Sequence, residues 1–526
     1  MMKKNNFSIL IFFFLFCKFS SLFGDEGIST SKWLNRKMEN KPVFTVLPEK
    51  PKKNSVISKV EESSLGNVNL NSIGLISAEN TTFPASLWNR SDESILAKKI
   101  TEIPELKLAS TNKIFKRLLI LDTEPPINAI GNKNMGSMFL ISRVDRLIEM
   151  GAIDEAETIL DYIKNPNYDL LTRKIDIASI TGRLQGTCKK IRRHFKSSDI
   201  LKFKIICLAR EGDWNAAAIL FSVGSTLKLF SSTEKKLLLN FLDPEINVKI
   251  EEEEMKENLS PINFYLLLSR GSIFNTKDLP PKYAYNLSLV GNNLMERIQS
   301  SEKLVKNFSM NSHHLFSLYR SAGQADESTK NVLINSVVNM DNAFKENKKR
   351  NQLRALKTAI NVFYKNNLLP QFAKEYESIL VNIKPTDNFS EFNDLIILLL
   401  SLNKQIPQDW LSYKSYNDNI KCILDIRNKN FSYSTPRIGH FCKIIKEVNF
   451  FYSHNSRKKF SIHENYEEVG IVILESLKLL YKETKTKHDD FKLSMELLKE
   501  VGQLRLANEI STELIVGIAL EEIFRK

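Results

Sequence analysis

The stretch Arg146-Leu-Ile-Glu-Met-Gly-Ala-Ile-Asp-Glu-Ala-Glu-Thr-Ile-Leu160 decides the fold. Apolar residues at three- and four-residue steps mark a helix ending near Gly151, and a second apolar helical run begins just after it. Glycine permits the positive φ that closes a helix. A cap then opens the next helix, and a small residue inside it lets the pair approach closely. The phrase recurs when Gly151, Gly182, Gly212, Gly323 and Gly502 are treated as one position. Four residues earlier stand Leu147, Ala178, Leu208, Tyr319 and Leu498; five later stand Ala156, Thr187, Ala217, Ser328 and Ala507. Three after the glycine come Asp154, Gln185, Asn215, Asp326 and Arg505, and Asp154 with Glu157 has capping-box character. Gly151, Gly182 and Gly212 are thirty-one and thirty residues apart, close to the ~34 of a tetratricopeptide unit. The expected fold class is all-α, an α-solenoid of tetratricopeptide-like helical hairpins. Gly-x-x-x-x-Ala is a weak motif by itself, so the weight rests on the three copies in register.

Composition agrees with long helices. The 526 residues include only 18 Gly and 16 Pro, too few turn-formers for a many-stranded sandwich. Hydrophobic residues at 42% and charged residues at 26% suit a globular chain with a sizeable core, and the length calls for two or three folding units. The formal net charge is +14 and the pI about 9.2. The lysines are scattered instead of lining one helix with interleaved aromatics, so the charge reads as compositional and no nucleic-acid partner is expected.

The amino terminus points to export. Basic Met1-Met-Lys-Lys-Asn-Asn6, the apolar run Phe7 to Cys17, and small residues at Ser20, Ser21 and Gly24 have the anatomy of a signal peptide over residues 1–24. The apolar run falls short of the ~20 residues that span a bilayer, with an uncleaved anchor as the alternative. Residues 25–112 lack periodicity, and Pro48-Glu-Lys-Pro-Lys-Lys-Asn54 followed by Ser- and Asn-rich sequence reads as a disordered or weakly ordered linker. Tetratricopeptide-like repeats are expected over 113–250 and a second helical block over 251–526. The acidic run Glu251 to Glu254 reads as a solvated helix start. A last helix pair, Asp490 to Val501 and Leu504 to Phe524, is expected to cap the stack. No transmembrane helix is expected after the signal peptide, and Ile396 to Leu400 reads as buried-helix core.

Without the leader, four cysteines remain: Cys188, Cys207, Cys422 and Cys442. In an oxidising compartment an even count points to disulfides, with three connectivities. The local one is favoured, because Cys188 and Cys207 lie equidistant from the turn Lys196-Ser-Ser-Asp199 of a helical hairpin. Cys422 and Cys442 repeat the arrangement about Asn428 to Pro436. Each bridge closes a loop of about twenty residues, worth on the order of 3 kcal/mol.

Chemistry is sparse, and no catalytic, cofactor or metal site is expected. His440, Cys442, His454 and His463 have irregular spacing for zinc, and adjacent His313 and His314 cannot share a helix face. Ser232-Thr-Glu-Lys235 has Ser-x-x-Lys spacing but reads as a helix start, with Ser232 capping. No Gly-x-Ser-x-Gly or phosphate-cradling glycine loop occurs. Trp214, Phe221 and Phe230 read as inter-helix packing.

The runs Leu140-Ile-Ser-Arg-Val-Asp-Arg-Leu-Ile-Glu-Met-Gly151, Ile206-Cys-Leu-Ala-Arg-Glu-Gly-Asp-Trp-Asn-Ala-Ala217 and Leu239-Asn-Phe-Leu-Asp-Pro-Glu245 resemble an uncharacterised family of exported alphaproteobacterial proteins. Its members are described as hypothetical or tetratricopeptide-like, sometimes under the label "antifreeze glycopeptide". The resemblance covers most of the chain after about residue 113. It implies a Gram-negative periplasmic or secreted setting and carries over no activity or ligand. The expectation is a non-enzymatic scaffold holding a protein or peptide of the cell envelope. The alternatives are a cell-wall or polyanion binder and a helical module related to a cell-wall enzyme.

Overall fold

The computed structural model describes residues 69–525, apart from 128–137, 192–197, 244, 247, 252–253, 255–258, 272–275, 292, 326–330, 404–405, 413–417, 428–441, 448–467 and 482–487. The expected signal peptide, the first part of the expected linker, His440, His454, His463, Asp326 and Ser328 lie outside the described residues. The protein is mostly helical, and helices adjacent in sequence pack on one another. In chain order the longer helices are α1 (Glu93–Glu102), α2 (Ala109–Leu119), α3 (Met138–Glu149), α4 (Ile153–Asp161), α5 (Tyr168–Thr181), α6 (Gln185–Ile191) and α7 (Ser198–Arg210). Then come α8 (Trp214–Thr226), α9 (Ser232–Leu242), α10 (Pro261–Ser269), α11 (Pro281–Val290), α12 (Leu294–Lys306), α13 (Ser312–Gln324) and α14 (Val332–Glu346). The remainder are α15 (Lys349–Lys365), α16 (Leu369–Glu375), α17 (Ser390–Leu402), α18 (Asp418–Arg427), α19 (Val469–Leu479), α20 (His488–Glu500) and α21 (Leu504–Arg525). The described chain forms two compact units, divided within α5. One comprises Ala178–Ile273, and the other joins Leu65–Ile177 to Phe274–Lys526. The expected boundary at 250/251 is therefore replaced by a discontinuous larger unit.

The quoted stretch forms the expected turn. Gly151 has φ +78°. Its N–H donates to Ile148 O at 2.9 Å, and the Ala152 N–H donates to Leu147 O at 2.8 Å. That pair of bonds satisfies carbonyls a helix end leaves orphaned. Gly212 and Gly502 repeat it with Asp213 to Leu208 O and Gln503 to Leu498 O, at 2.9 and 2.7 Å. In all three the next helix begins two residues after the glycine, and its fourth residue is Ala156, Ala217 or Ala507, each fully buried. Gly182 also has a positive φ of +72°, but its helix α6 starts three residues on. The fourth residue of α6 is therefore Cys188, buried where Thr187 was expected.

Three details differ from the sequence expectation. Gly323 lies inside α13, where it stops nothing; a β-carbon there would come within 2.4 Å of Val338. Asp154 is not a cap, because α4 already begins at Ile153; its carboxylate accepts the Tyr285 hydroxyl at 2.6 Å instead. Lys228, Phe308 and Asn367 make the same closing turn without glycine, at φ of +55°, +56° and +55°.

Residues 69–112, expected as linker, are folded. A parallel pair of two-residue strands, β1 (Ile76–Ser77) and β2 (Leu121–Asp122), sets Ile76 beside Leu121, so the fold is not purely helical. Trp88 is 1% exposed and packs edge-on against Phe139. Gly470, at the start of α19, admits that indole: a β-carbon there would lie 2.1 Å from the Trp88 ring. The fully buried Arg143 on α3 ties the region together. It donates to Leu119 O at 2.7 Å, Leu121 O at 2.9 Å and Asn71 O at 3.2 Å. Burial lowers its pKa to about 10, which leaves it charged at neutral pH. Asn71 and Glu93 in turn accept the Leu140 and Phe139 N–H groups at the start of α3.

The last helix does not cap a stack. α21 buries apolar residues on more than one side and packs within the larger unit against α2, α15, α17, α18 and α20. Glu513 on α21 accepts the Ala109 and Ser110 N–H groups at 2.8 and 2.7 Å, capping α2, whose own N-cap residue Leu108 cannot.

Replacing Arg143 with Met removes the donors of three carbonyls at once. Each buried polar group left unsatisfied costs about 1–3 kcal/mol, so the variant is expected to lose about 3 kcal/mol or more. Urea unfolding checks this, and an unchanged midpoint would show that Arg143 does not hold the 69–122 region.

Candidate functional site

The candidate site is the outward face of α8, in the smaller unit. No side chain from Trp214 to Thr226 is charged. Asp213, reached through the Gly212 turn, caps the helix by accepting the Ala216 N–H at 3.1 Å; the cap is one residue past the glycine, not at Asn215. Only Ala217 and Gly224 of α8 are fully buried. On the other side Ile219, Val223 and Leu227 stand four residues apart on one face and are 63%, 45% and 63% exposed. Trp214, at the helix start and on another side of it, is itself 48% exposed, and Leu229, past the helix end, is 41% exposed. Trp214 is thus not the packing residue expected, whereas Phe230 is buried and Phe221 stacks on it at 6.3 Å. A helix apolar on every side is ordinarily enclosed. α8 is not, and large apolar side chains left exposed together on one face mark an interaction surface.

Behind the face, α7 is fastened to three neighbours. The Cys188–Cys207 disulfide, with α-carbons 5.6 Å apart, ties it to α6. Lys202, 3% exposed, reaches Asp199 at 2.6 Å and Glu234 of α9 at 2.5 Å. Burial works against the Lys202 charge, but the hydrogen bonds to Asp199 and Glu234 outweigh it and raise the pKa. Burial likewise opposes the charge on Glu234, and Lys202 and Ser231 hold it below the usual carboxylate range all the same. Ser231, not Ser232, caps α9, in a full capping box with Glu234. Finally, Arg210 donates to the Tyr265 hydroxyl of α10 at 2.7 Å and lies over the Phe241 and Tyr265 rings. Burial pushes the Tyr265 phenol up.

The remaining sequence candidates sit apart. Gly151, Ala156, Gly502 and Ala507 belong to the larger unit, as does a second disulfide, Cys422–Cys442, with α-carbons 6.2 Å apart and both residues buried. His313 and His314 diverge: His313 is exposed near Glu375, while burial lowers the pKa of His314. Arg320 bridges Asp341 at 2.8 Å and Glu375 at 2.6 Å, and Tyr376 donates to Asp341 at 2.7 Å. That network joins α13, α14 and α16 and reads as a structural tie. Among the described residues no group of three or more His, Cys, Asp and Glu is placed to hold a metal, and no helix is long and apolar enough to cross a membrane. No family model, curated protein or solved structure matches the chain.

Replacing both Cys188 and Cys207 with Ser opens a link nineteen residues apart in sequence. The chain-entropy model gives a loss of about 3 kcal/mol for such a loop, to be read from urea unfolding of the oxidised protein. Mass spectrometry after non-reducing digestion should recover the 188–207 and 422–442 peptides linked; free thiols at all four positions would contradict both bridges.

Proposed function

We propose that the chain is a non-enzymatic helical-repeat scaffold, built as a solenoid-like succession of hairpins, that holds a protein or peptide partner in the cell envelope. The observation that carries the reading is the uncharged, solvent-exposed face of α8: an apolar stripe of Ile219, Val223 and Leu227 on a hairpin fastened from behind by a disulfide, the buried Lys202 pairing and the Arg210–Tyr265 hydrogen bond. Burying such a stripe contributes about 25 cal/mol per Å² of apolar surface removed from water, and the fastened hairpin loses little conformational freedom on binding. Two disulfides support an oxidising compartment, in keeping with an exported chain. The apolar character of the face favours a protein partner over a polyanion, whose grip would rest on lysines and weaken with salt.

A photo-crosslinking residue at Val223 in living cells is expected to capture a defined envelope protein that the same group at exposed Lys98 does not capture. Ile219→Asp with Leu227→Asp should abolish the capture without shifting the urea midpoint, since both side chains face solvent, and capture should survive high salt. Identical products from both positions, or capture unaffected by the Asp substitutions, would remove α8 from the reading.

A further inference from the structure

The larger unit contains a cleft of about 870 Å³ formed by α2, the first half of α21, and the neighbouring ends of α16 and α17. That volume is in the range of small-ligand sites. The turn at Gly502 sets Gln503 into its wall. Gln503 is 6% exposed; its Nε2 donates to Thr82 O at 3.2 Å, and its Oε1 receives no hydrogen bond. Asn508, one helical turn further along α21, has an Oδ1 in the same condition. Buried acceptors without donors are uncommon and call for an explanation such as a bound ligand.

The charges of the cleft are unevenly matched. Lys113 pairs with Glu509 at 2.7 Å, and Lys374 pairs with Glu377. Glu513 is engaged by the first two N–H groups of α2, and burial raises its pKa. Because Glu513 already occupies that helix start, the α2 N–H groups are not available to an anion. Arg117 and Arg505 also line the cleft, and their guanidinium groups make no ion pair or hydrogen bond among the described residues. Phe308, Leu402 and Leu504 add apolar wall that is only half-buried. A complementary ligand therefore carries an anionic group, N–H donors and an apolar side chain together.

We infer that this cleft binds the carboxyl-terminal end of a short apolar peptide. Its carboxylate sits on Arg117 and Arg505, its N–H groups are accepted by Gln503 Oε1 and Asn508 Oδ1 once those sealed amides turn toward the cleft, and its side chains lie on Phe308, Leu402 and Leu504. Guanidinium groups suit a carboxylate, since paired N–H donors match its two oxygens. A sugar acid would offer the carboxylate and hydroxyl donors but leave the apolar wall uncovered.

Calorimetric titration of the full chain with glycyl-leucyl-phenylalanine is expected to show binding that falls at least tenfold for the carboxyl-amide of the same tripeptide. Arg117→Gln and, separately, Arg505→Gln should each weaken binding of the free acid at least tenfold with the urea midpoint unchanged, because neither side chain holds a protein group. Gln503→Met should weaken the acid and the amide alike. Equal affinity for acid and amide, unchanged affinity in both arginine variants, tighter binding of glucuronate than of the tripeptide, or no binding of the tripeptide at millimolar concentration would each overturn the proposal.

Discussion

A helix that stops inside a protein leaves its last carbonyls without partners, and the connections between hairpins are built around that constraint. At Gly151, Gly212 and Gly502 the chain turns left-handed for one residue, and two backbone N–H groups fold back onto those carbonyls. The turn also sets the phase of the next helix. When the helix begins two residues later, its fourth residue faces inward, and that residue is Ala in all three cases. At Gly182 the start slips by one, so Cys188 comes to the inward position, where it bridges to Cys207. One backbone conformation thus determines where small residues and one disulfide lie.

In the smaller unit the consequence is a hairpin with a finished inside and an unfinished outside. The inside has a disulfide, a lysine between two carboxylates, and an arginine on two rings. The outside has an apolar stripe with no charge to solvate it. Lys202 is the instructive residue: a nearly buried ammonium is tolerable only because both Asp199 and Glu234 reach it. Such groups hold the backbone of α8 in place while contributing nothing to its exposed face. The scaffold reading rests on that division of roles.

The larger unit depends on contacts between residues remote in sequence. Arg143 gathers carbonyls of Asn71, Leu119 and Leu121, and Asn71, Glu93 and Glu513 take the N–H groups of helix starts far along the chain. This explains why residues 69–112 read as a linker. Their elements are short, their caps and core partners lie elsewhere, and Trp88 finds its cavity beside Gly470. Local periodicity carries no trace of such partners. The same limit applies to Phe308 and Lys228, whose left-handed turns fall on residue types that disfavour them, and less to Asn367, since asparagine enters that region more readily.

The sequence by itself determined the helical class, the glycine-closed hairpins and the pairing of cysteines nineteen and twenty residues apart. Each of these depends on spacing within some thirty residues, a distance over which helix period and turn chemistry are legible. Only the tertiary structure decided that α21 packs against five helices, that the chain divides within α5, and that one uncharged helix keeps an apolar face to solvent. Burial depends on which surfaces meet. Composition shows that α8 is apolar, but only the assembled neighbours reveal which of its sides they leave uncovered.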